Sequence, residues 1–151
     1  MKELIAYLDS SSMVKRYIEE PGSRIIRDVY LKAYSGELSM AFSSWNIGET
    51  LGAFDKACVR GALSQEDYMT VKRRFLLETR RLLRLGVLTL IPVRFKLLIE
   101  SWNLIEKHHI YEADAIQIVS AKALNATQFF TGDKRVYEAA NMEGLKSTLA
   151  K

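Results

Sequence analysis

Four acidic residues in this chain stand where a carboxylate does least for stability. Asp9 closes the short apolar run "LIAYLD", and Asp133 follows "QFFTG". Glu49 lies between Ile47 and Leu51, and Asp114 lies among Ala113, Ala115 and Ile116. Asp disfavours strands, and a carboxylate withdrawn from water needs a partner. Taken singly, each has an ordinary reading. Glu49 and Asp114 suit the positive end of a helix, and Asp9 and Asp133 can cap the helices that follow them. Taken together, four carboxylates crowded at one place cannot all ionise without a counter-charge, and the sequence puts few cations beside them. A hard divalent ion with oxygen ligands, Mg²⁺ or Mn²⁺, supplies that charge. Zinc does not fit, because Cys58 and the adjacent pair His108 and His109 give no ligand spacing.

The elements that must position these acids follow from apolar periodicity. "LIAYLD", "LSMAFSS", "VLTLI" and "TQFF" are short apolar runs that predict strands, and "LKSTL" predicts a last edge strand. Between them the 3.6-residue spacing predicts helices. A serine-capped helix begins at "SSSMVKRY" and ends at Pro21-Gly22, and "SRIIRDVYLKAY" forms the next. Ser44 caps "WNIGETLGAFDKACV", whose apolar face includes Cys58. Ser64, with Asp67 at the capping-box position, opens the longest helix, which Gly86 closes. Pro92 suits the first turn of a helix ending near His108, and "EADAIQIVSAKAL" and "KRVYEAANME" complete the set. Strands alternating with helices imply right-handed crossovers and a parallel sheet covered on both faces, a single three-layer α/β/α domain. In such sheets sites form outside the carboxyl ends of the strands. All four acids fall there.

Composition narrows the chemistry. The chain has 151 residues, 48% of them hydrophobic and 26% charged, as expected of one globular domain. A lone cysteine, no secretory leader and no membrane-length apolar run suit a reducing cytoplasm. There is no Gly-rich phosphate loop and no GxSxG elbow. Setting the four acids aside leaves 14 of the 18 acidic residues against 22 basic ones, a surplus of +8 outside the site. An acidic metal centre on a basic protein suits hydrolysis of a nucleic-acid backbone.

Four stretches, "AYLDSSSMVKRY", "SSWNIGETLGAF", "HHIYEADAIQIVSAKAL" and "QFFTGDKRVYEAANMEGL", together resemble a PIN-domain ribonuclease, most closely the VapC-type toxins of toxin–antitoxin pairs. The resemblance covers nearly the whole chain. It maps the family's four acids onto Asp9, Glu49, Asp114 and Asp133, and its supporting hydroxyls onto Ser11 and Thr131. It implies Mg²⁺- or Mn²⁺-dependent RNA cleavage, a homodimer, and inhibition by a small antitoxin whose tail enters the site. Glu112 is an additional acid, read first as a helix-start residue. A catalytically silent PIN-like module that binds RNA or protein, and a nuclease acting on DNA, are the competing readings.

The long helix "SQEDYMTVKRRFLLETRRLLRLG" places Arg73, Arg74, Arg80, Arg81 and Arg84 on one broad face. That face is either an RNA or acidic-partner surface, with Arg73, Arg80 and Arg84 as the contacts, or a solvated helix side. Its apolar face, with Met69, Val71, Phe75, Leu76, Leu82 and Leu83, exceeds what a lone surface helix needs, so part of it is expected at a subunit interface. Trp45, Trp102 and Cys58 are expected in the core, and His108 and His109 at a solvated helix end.

Overall fold

Alternating burial on two sides of one sheet organises the molecule. The computed structural model describes residues 3–151. Five strands, β1 (Ile5–Leu8), β2 (Ser39–Ser43), β3 (Leu88–Ile91), β4 (Gln128–Thr131) and β5 (Ser147–Leu149), pair only in parallel, in the order β3-β2-β1-β4-β5. Successive side chains point to opposite faces, and both faces are covered. Ala6, Leu8, Met40, Phe42 and Phe130 pack to one side, whereas Tyr7, Ala41 and Phe129 pack to the other. Tyr7 and Phe129 stack across the β1–β4 pair with centroids 5.4 Å apart.

The first face is covered by α1 (Ser10–Met13), α2 (Ser23–Tyr34), α3 (Trp45–Val59) and α4 (Gln65–Arg84), through Met13, Ile26, Phe54 and Phe75. Phe75 is wholly buried, and truncating such a ring to alanine costs about 3–5 kcal/mol. The second face is covered by α5 (Phe95–His108), α6 (Glu112–Ala123) and α7 (Lys134–Met142), through Leu97, Ile116 and Val136. The three-layer parallel α/β/α architecture expected from the sequence is therefore present. No helix among the described residues is long and apolar enough to cross a membrane.

Several local expectations are corrected. The serine-led helix does not run to Pro21: α1 ends at Met13 and tightens into a 3-10 turn over Val14–Arg16. That turn delivers Arg16 and Tyr17 to Glu78 on α4. Ser44 has helical dihedrals (φ −57°, ψ −26°), so its side chain cannot cap; Ser43 Oγ accepts the Trp45 N–H instead, at 3.1 Å. Pro92 lies outside α5 and directly follows β3, where its missing N–H ends the ladder. Ser64 does cap α4 by accepting the Asp67 N–H, and Gly86 takes the left-handed conformation after it.

Both tryptophans are 49% exposed rather than buried. Trp45 opens α3 at the sheet's carboxyl edge, and Trp102 lies opposite the buried Leu97–Ser101–Leu104 side of α5. Cys58 is only half-buried, because α3 turns Phe54 and Ala57 inward, and its thiol lies 3.5 Å from Gln65 Oε1. His108 is not a solvated end: its side chain is buried against Glu143, 2.7 Å away. His109 is exposed and terminates α5 at φ 55°.

Candidate active site

The parallel topology sends β1 and β4 to the same edge, and the two acids that follow them arrive there as neighbours. The Asp9 N–H donates to Phe130 O (3.2 Å), which extends the β1–β4 ladder by one step and fixes the Asp9 backbone. Its side chain is nearly buried and fully engaged. Oδ1 accepts the Ser11 hydroxyl (2.7 Å) and the Ser12 N–H (3.0 Å), the second of which caps α1, while Oδ2 accepts the Thr131 hydroxyl (2.5 Å). Ser11 Oγ accepts the Gly132 N–H (2.8 Å), and Thr131 Oγ1 accepts the Asp133 N–H (3.1 Å). The two hydroxyls expected to support the site therefore tie the β1 and β4 loops together through Asp9.

Asp133 is exposed and caps α7, accepting the Arg135 N–H (2.8 Å) and Val136 N–H (3.3 Å) on Oδ1. Its Oδ2 takes no hydrogen bond among the described residues. Glu49 is half-buried in α3 and accepts the Ser10 hydroxyl at 3.3 Å. Asp114, half-buried in the first turn of α6, completes the set.

Electrostatics bind the four into one group. Burial pushes Asp114 up to about 6, and the charges of Asp133, Asp9 and Glu49 push the same way against a weaker opposing pull from Arg135. Burial also raises Glu49, partly offset by hydrogen bonding from Ser10 and Trp45, with Asp9 adding to the rise. For Asp9, burial outweighs its hydroxyl and N–H donors, so its carboxyl is raised as well. Among the described residues no Lys, Arg or His nitrogen lies within 4.0 Å of any of these carboxylates.

Oxygen donors without a protein counter-charge fit a hard divalent ion by their chemistry. The acids sense one another without closing on one point: among the described residues no three acidic, imidazole or thiolate groups form a ready ligand sphere.

The other predicted residues separate from this group. Glu112 turns toward α5, where Oε2 accepts the Ser101 hydroxyl at 2.9 Å. Arg73, Arg80 and Arg84 are exposed on α4, whose last turn runs through Gly86 directly into the start of β3. Arg80 and Arg84 thus lie toward the amino ends of the strands, the edge opposite the acids.

Sequence reasoning missed four neighbours. Ser10 supports Glu49, and the Ser12 hydroxyl bonds the Asp9 carbonyl at 2.8 Å. Buried Asn46 donates to Leu8 O at 3.0 Å, one residue before Asp9, and Gly132 lets Lys15 approach closely. The "DSSS" cluster was the signal for the first two. Asn46, three residues before Glu49 on one helix, was a signal only once β1 and α3 were known to touch.

A family model described as PIN domain matches residues 6–142. Among curated protein sequences, none matches. Solved structures share the fold at low identity. VapC20 of Mycobacterium tuberculosis, a sarcin-ricin-loop-cleaving toxin, superposes with a TM-score of 0.62 at 13% identity, over 89% of this chain and 94% of its own. VapBC2 of Rickettsia felis, bound to a DNA fragment from its promoter, gives 0.62 at 18% identity, over 98% and 100%. FitAcB of Neisseria gonorrhoeae gives 0.62 at 15% identity, over 94% and 95%. PIN domains are a nuclease family that generally uses divalent metal. With the match spanning all four acids and the hydroxyls that hold them, the chain belongs to the PIN-domain family.

Proposed function

We propose that this protein is a Mg²⁺- or Mn²⁺-dependent endoribonuclease, the toxin of a cytoplasmic toxin–antitoxin pair. The observation that carries the reading is a group of acids at one sheet edge, three of them raised by burial, with no basic side chain paired to any of the four among the described residues. Asp9, Glu49, Asp114 and Asp133 would hold the ion. When bound, the ion lowers the pKa of an attacking water and neutralises charge on the phosphate.

The chain's own residues preorganise that site. Ser11 and Thr131 fix both oxygens of Asp9, and the helix-capping role of Asp133 fixes one of its oxygens and leaves the other free. Rigid placement of this kind is what a positioned hydrolysis requires. Asp114, held to about 6, ionises fully once a cation joins the group. The basic surplus over the rest of the chain favours a polyanionic substrate.

The test is incubation of purified protein with structured and single-stranded RNAs, and with DNA, with and without Mg²⁺ or Mn²⁺. Metal-dependent RNA cleavage, abolished in Asp9→Asn, is the expected result. RNA binding with no cleavage under any metal would leave a silent binding module, and cleavage of DNA alone would redirect the substrate.

Partners follow the same reading. The similar structures include the VapBC2 assembly bound to its promoter, so a small DNA-binding antitoxin encoded beside this chain is expected. A homodimer is expected too. Phe95, Ile99 and Trp102 form an exposed apolar stripe along α5, with Phe95 and Trp102 packed edge to face at 6.2 Å. Val71, Phe75 and Leu82 of α4 are spent on the core, so Met69, Leu76, Leu77 and Leu83 of that helix remain for such a contact. Sedimentation showing only monomer at micromolar concentration would remove the dimer.

A further inference from the structure

Beside the acids runs a groove of about 360 Å³ between α3 and the α1 turn region. Ser11 and Gly132, both in the Asp9 network, line it, and Lys15, Lys56 and Arg60 contribute its cations. Val14, Ile18, Ala53 and Ala57 give it an apolar lining, so it combines a surface for a ribose or base with charges for phosphate. Pockets of this size accept small ligands of about one nucleotide.

The cations are not equivalent. Lys15 donates to Pro21 O at 2.9 Å and lies 3.8 Å from Glu20, the one acid of the groove. Lys56 and Arg60 are exposed, and neither forms an ion pair among the described residues.

Their spacing is the decisive feature. Glu49, Ala53 and Lys56 fall at i, i+4 and i+7 on a single stripe of α3, which the C-cap residue Arg60 continues at i+11. At a rise of 1.5 Å per residue, Arg60 lies about 16 Å along the helix from Glu49. One side of one helix therefore presents a carboxylate at the acid cluster and two uncommitted cations leading away from it. The α4 arginines, by contrast, continue toward the opposite edge of the sheet.

We infer that the α3 groove is the track of the substrate strand: Lys56 and Arg60 take consecutive backbone phosphates on one side of the scissile bond, and the apolar lining receives the nucleotide between them and the acids. The inference rests on the nuclease reading. It commits to a single-stranded nucleic acid, because the two free groups are exposed cations aligned with a site for phosphate chemistry. A groove built for an acidic protein segment is the outcome that would displace it.

The test measures binding of a fluorescein-labelled single-stranded oligoribonucleotide in EDTA across a salt series, for wild type, Lys56→Gln/Arg60→Gln and the α4 control Arg80→Gln/Arg84→Gln. Each lost phosphate contact on a single strand lowers the slope of log K against log salt by about 0.7, so the groove variant should lose about 1.4 and weaken uniformly across sequences. The α4 control should match wild type. In Mg²⁺, the groove variant should raise KM and leave kcat near wild type. Unchanged affinity and slope in the groove variant, with wild type cleaving normally, would overturn the track and leave the nuclease standing. Wild type that binds without cleaving, with binding still lost in the groove variant, would overturn the nuclease and keep the track. If an acidic peptide, and not the RNA, loses affinity in the groove variant, the strand assignment falls.

Discussion

Acids placed in the interior of this molecule meet two opposite fates. At the carboxyl edge of the sheet, Asp9, Glu49 and Asp114 are all raised by burial, neighbouring acids add to the rise of Glu49 and Asp114, and no cation pairs with any of them among the described residues. Glu78 on α4 faces the same burial cost, yet its carboxyl is lowered. Arg16 grips it with two hydrogen bonds of 2.9 and 3.0 Å, and the hydroxyls of Tyr34 and Tyr17 add to the effect. Glu143, just after α7, is similarly overcompensated: against burial, Lys107, His108 and Lys122 bring it down to about 2. A fold that satisfies these two carboxylates so thoroughly does not leave Asp9, Glu49 and Asp114 uncompensated through want of basic residues. On the proposed function, the contrast separates acids that hold the structure from acids kept for chemistry.

The sharpest way to break this comparison is Asp114→Asn. The reading requires RNA hydrolysis to fall by more than the roughly 100-fold typical of losing a partner behind a metal ligand. Melting should not fall, because a disfavoured charge has been removed. A variant that keeps wild-type turnover would place Asp114 with the structural acids.

Glu78→Ala should do the reverse. It strips the Arg16 guanidinium and two tyrosine hydroxyls of their acceptor, so unfolding stability should drop by about 2 kcal/mol or more. Cleavage per folded molecule should hold near wild type, because the Glu78 cluster lies in the α1–α4 layer and touches none of the four site acids. Denaturant melts beside active-site-titrated rates check both halves. Lost turnover with intact stability would dissolve the distinction.

These clusters also mark where the sequence stopped being readable. Strands, helices, parallel order and the shared edge of the four acids follow from local periodicity and chain topology, both of which a single sequence contains. The Glu78 cluster joins Arg16, Tyr17 and Tyr34 to a residue 44 to 62 positions away, and no local pattern marks such a pairing. His108 misled for the same reason: an adjacent histidine pair at a helix end looks solvated until Glu143, 35 residues on, is seen against it. Trp45 and Trp102 misled because size and apolarity predict burial, whereas position on the helix decides it. The α4 arginines were correctly placed on an exposed surface. Which edge of the sheet that surface approaches became visible only in three dimensions.

A pH series sharpens the comparison through opposite signs. The folded pKa of Asp114, about 6, lies above its ordinary 3.8, so its contribution to stability is full below 3.8 and is lost as pH rises through about 6. Glu143, brought from 4.5 to about 2, contributes fully above 4.5 and loses its contribution as pH falls through about 2. In metal-free protein, Asp114→Asn should flatten the decline between pH 4 and 6, and Glu143→Gln should flatten the acid limb below 4.5. Melting temperature against pH for the three proteins decides it. Parallel curves for Asp114→Asn and wild type across that window would mean the group is not strained.

The smallest effect is expected where the two classes of acid meet, at Asp133, which both caps a helix and borders the site. Asn caps about as well as Asp, and the residue is exposed, so Asp133→Asn should change metal-free stability by no more than about 0.5 kcal/mol. Removing one of four repelling charges pushes slightly toward stability, and weakening an N-terminal charge–dipole contact pushes slightly against it. The near-null result is informative because a second measurement accompanies it. At about a hundredfold excess over its Kd, Mg²⁺ should stabilise wild type by roughly 2.7 kcal/mol through binding the folded state alone. If the free Oδ2 of Asp133 contributes to that affinity, the variant gains less at the same concentration while its cap stays intact. Unequal Mg²⁺ shifts from equal starting stabilities would assign both roles to one side chain. Equal shifts would return Asp133 to the structural acids and leave Asp9, Glu49 and Asp114 as the site.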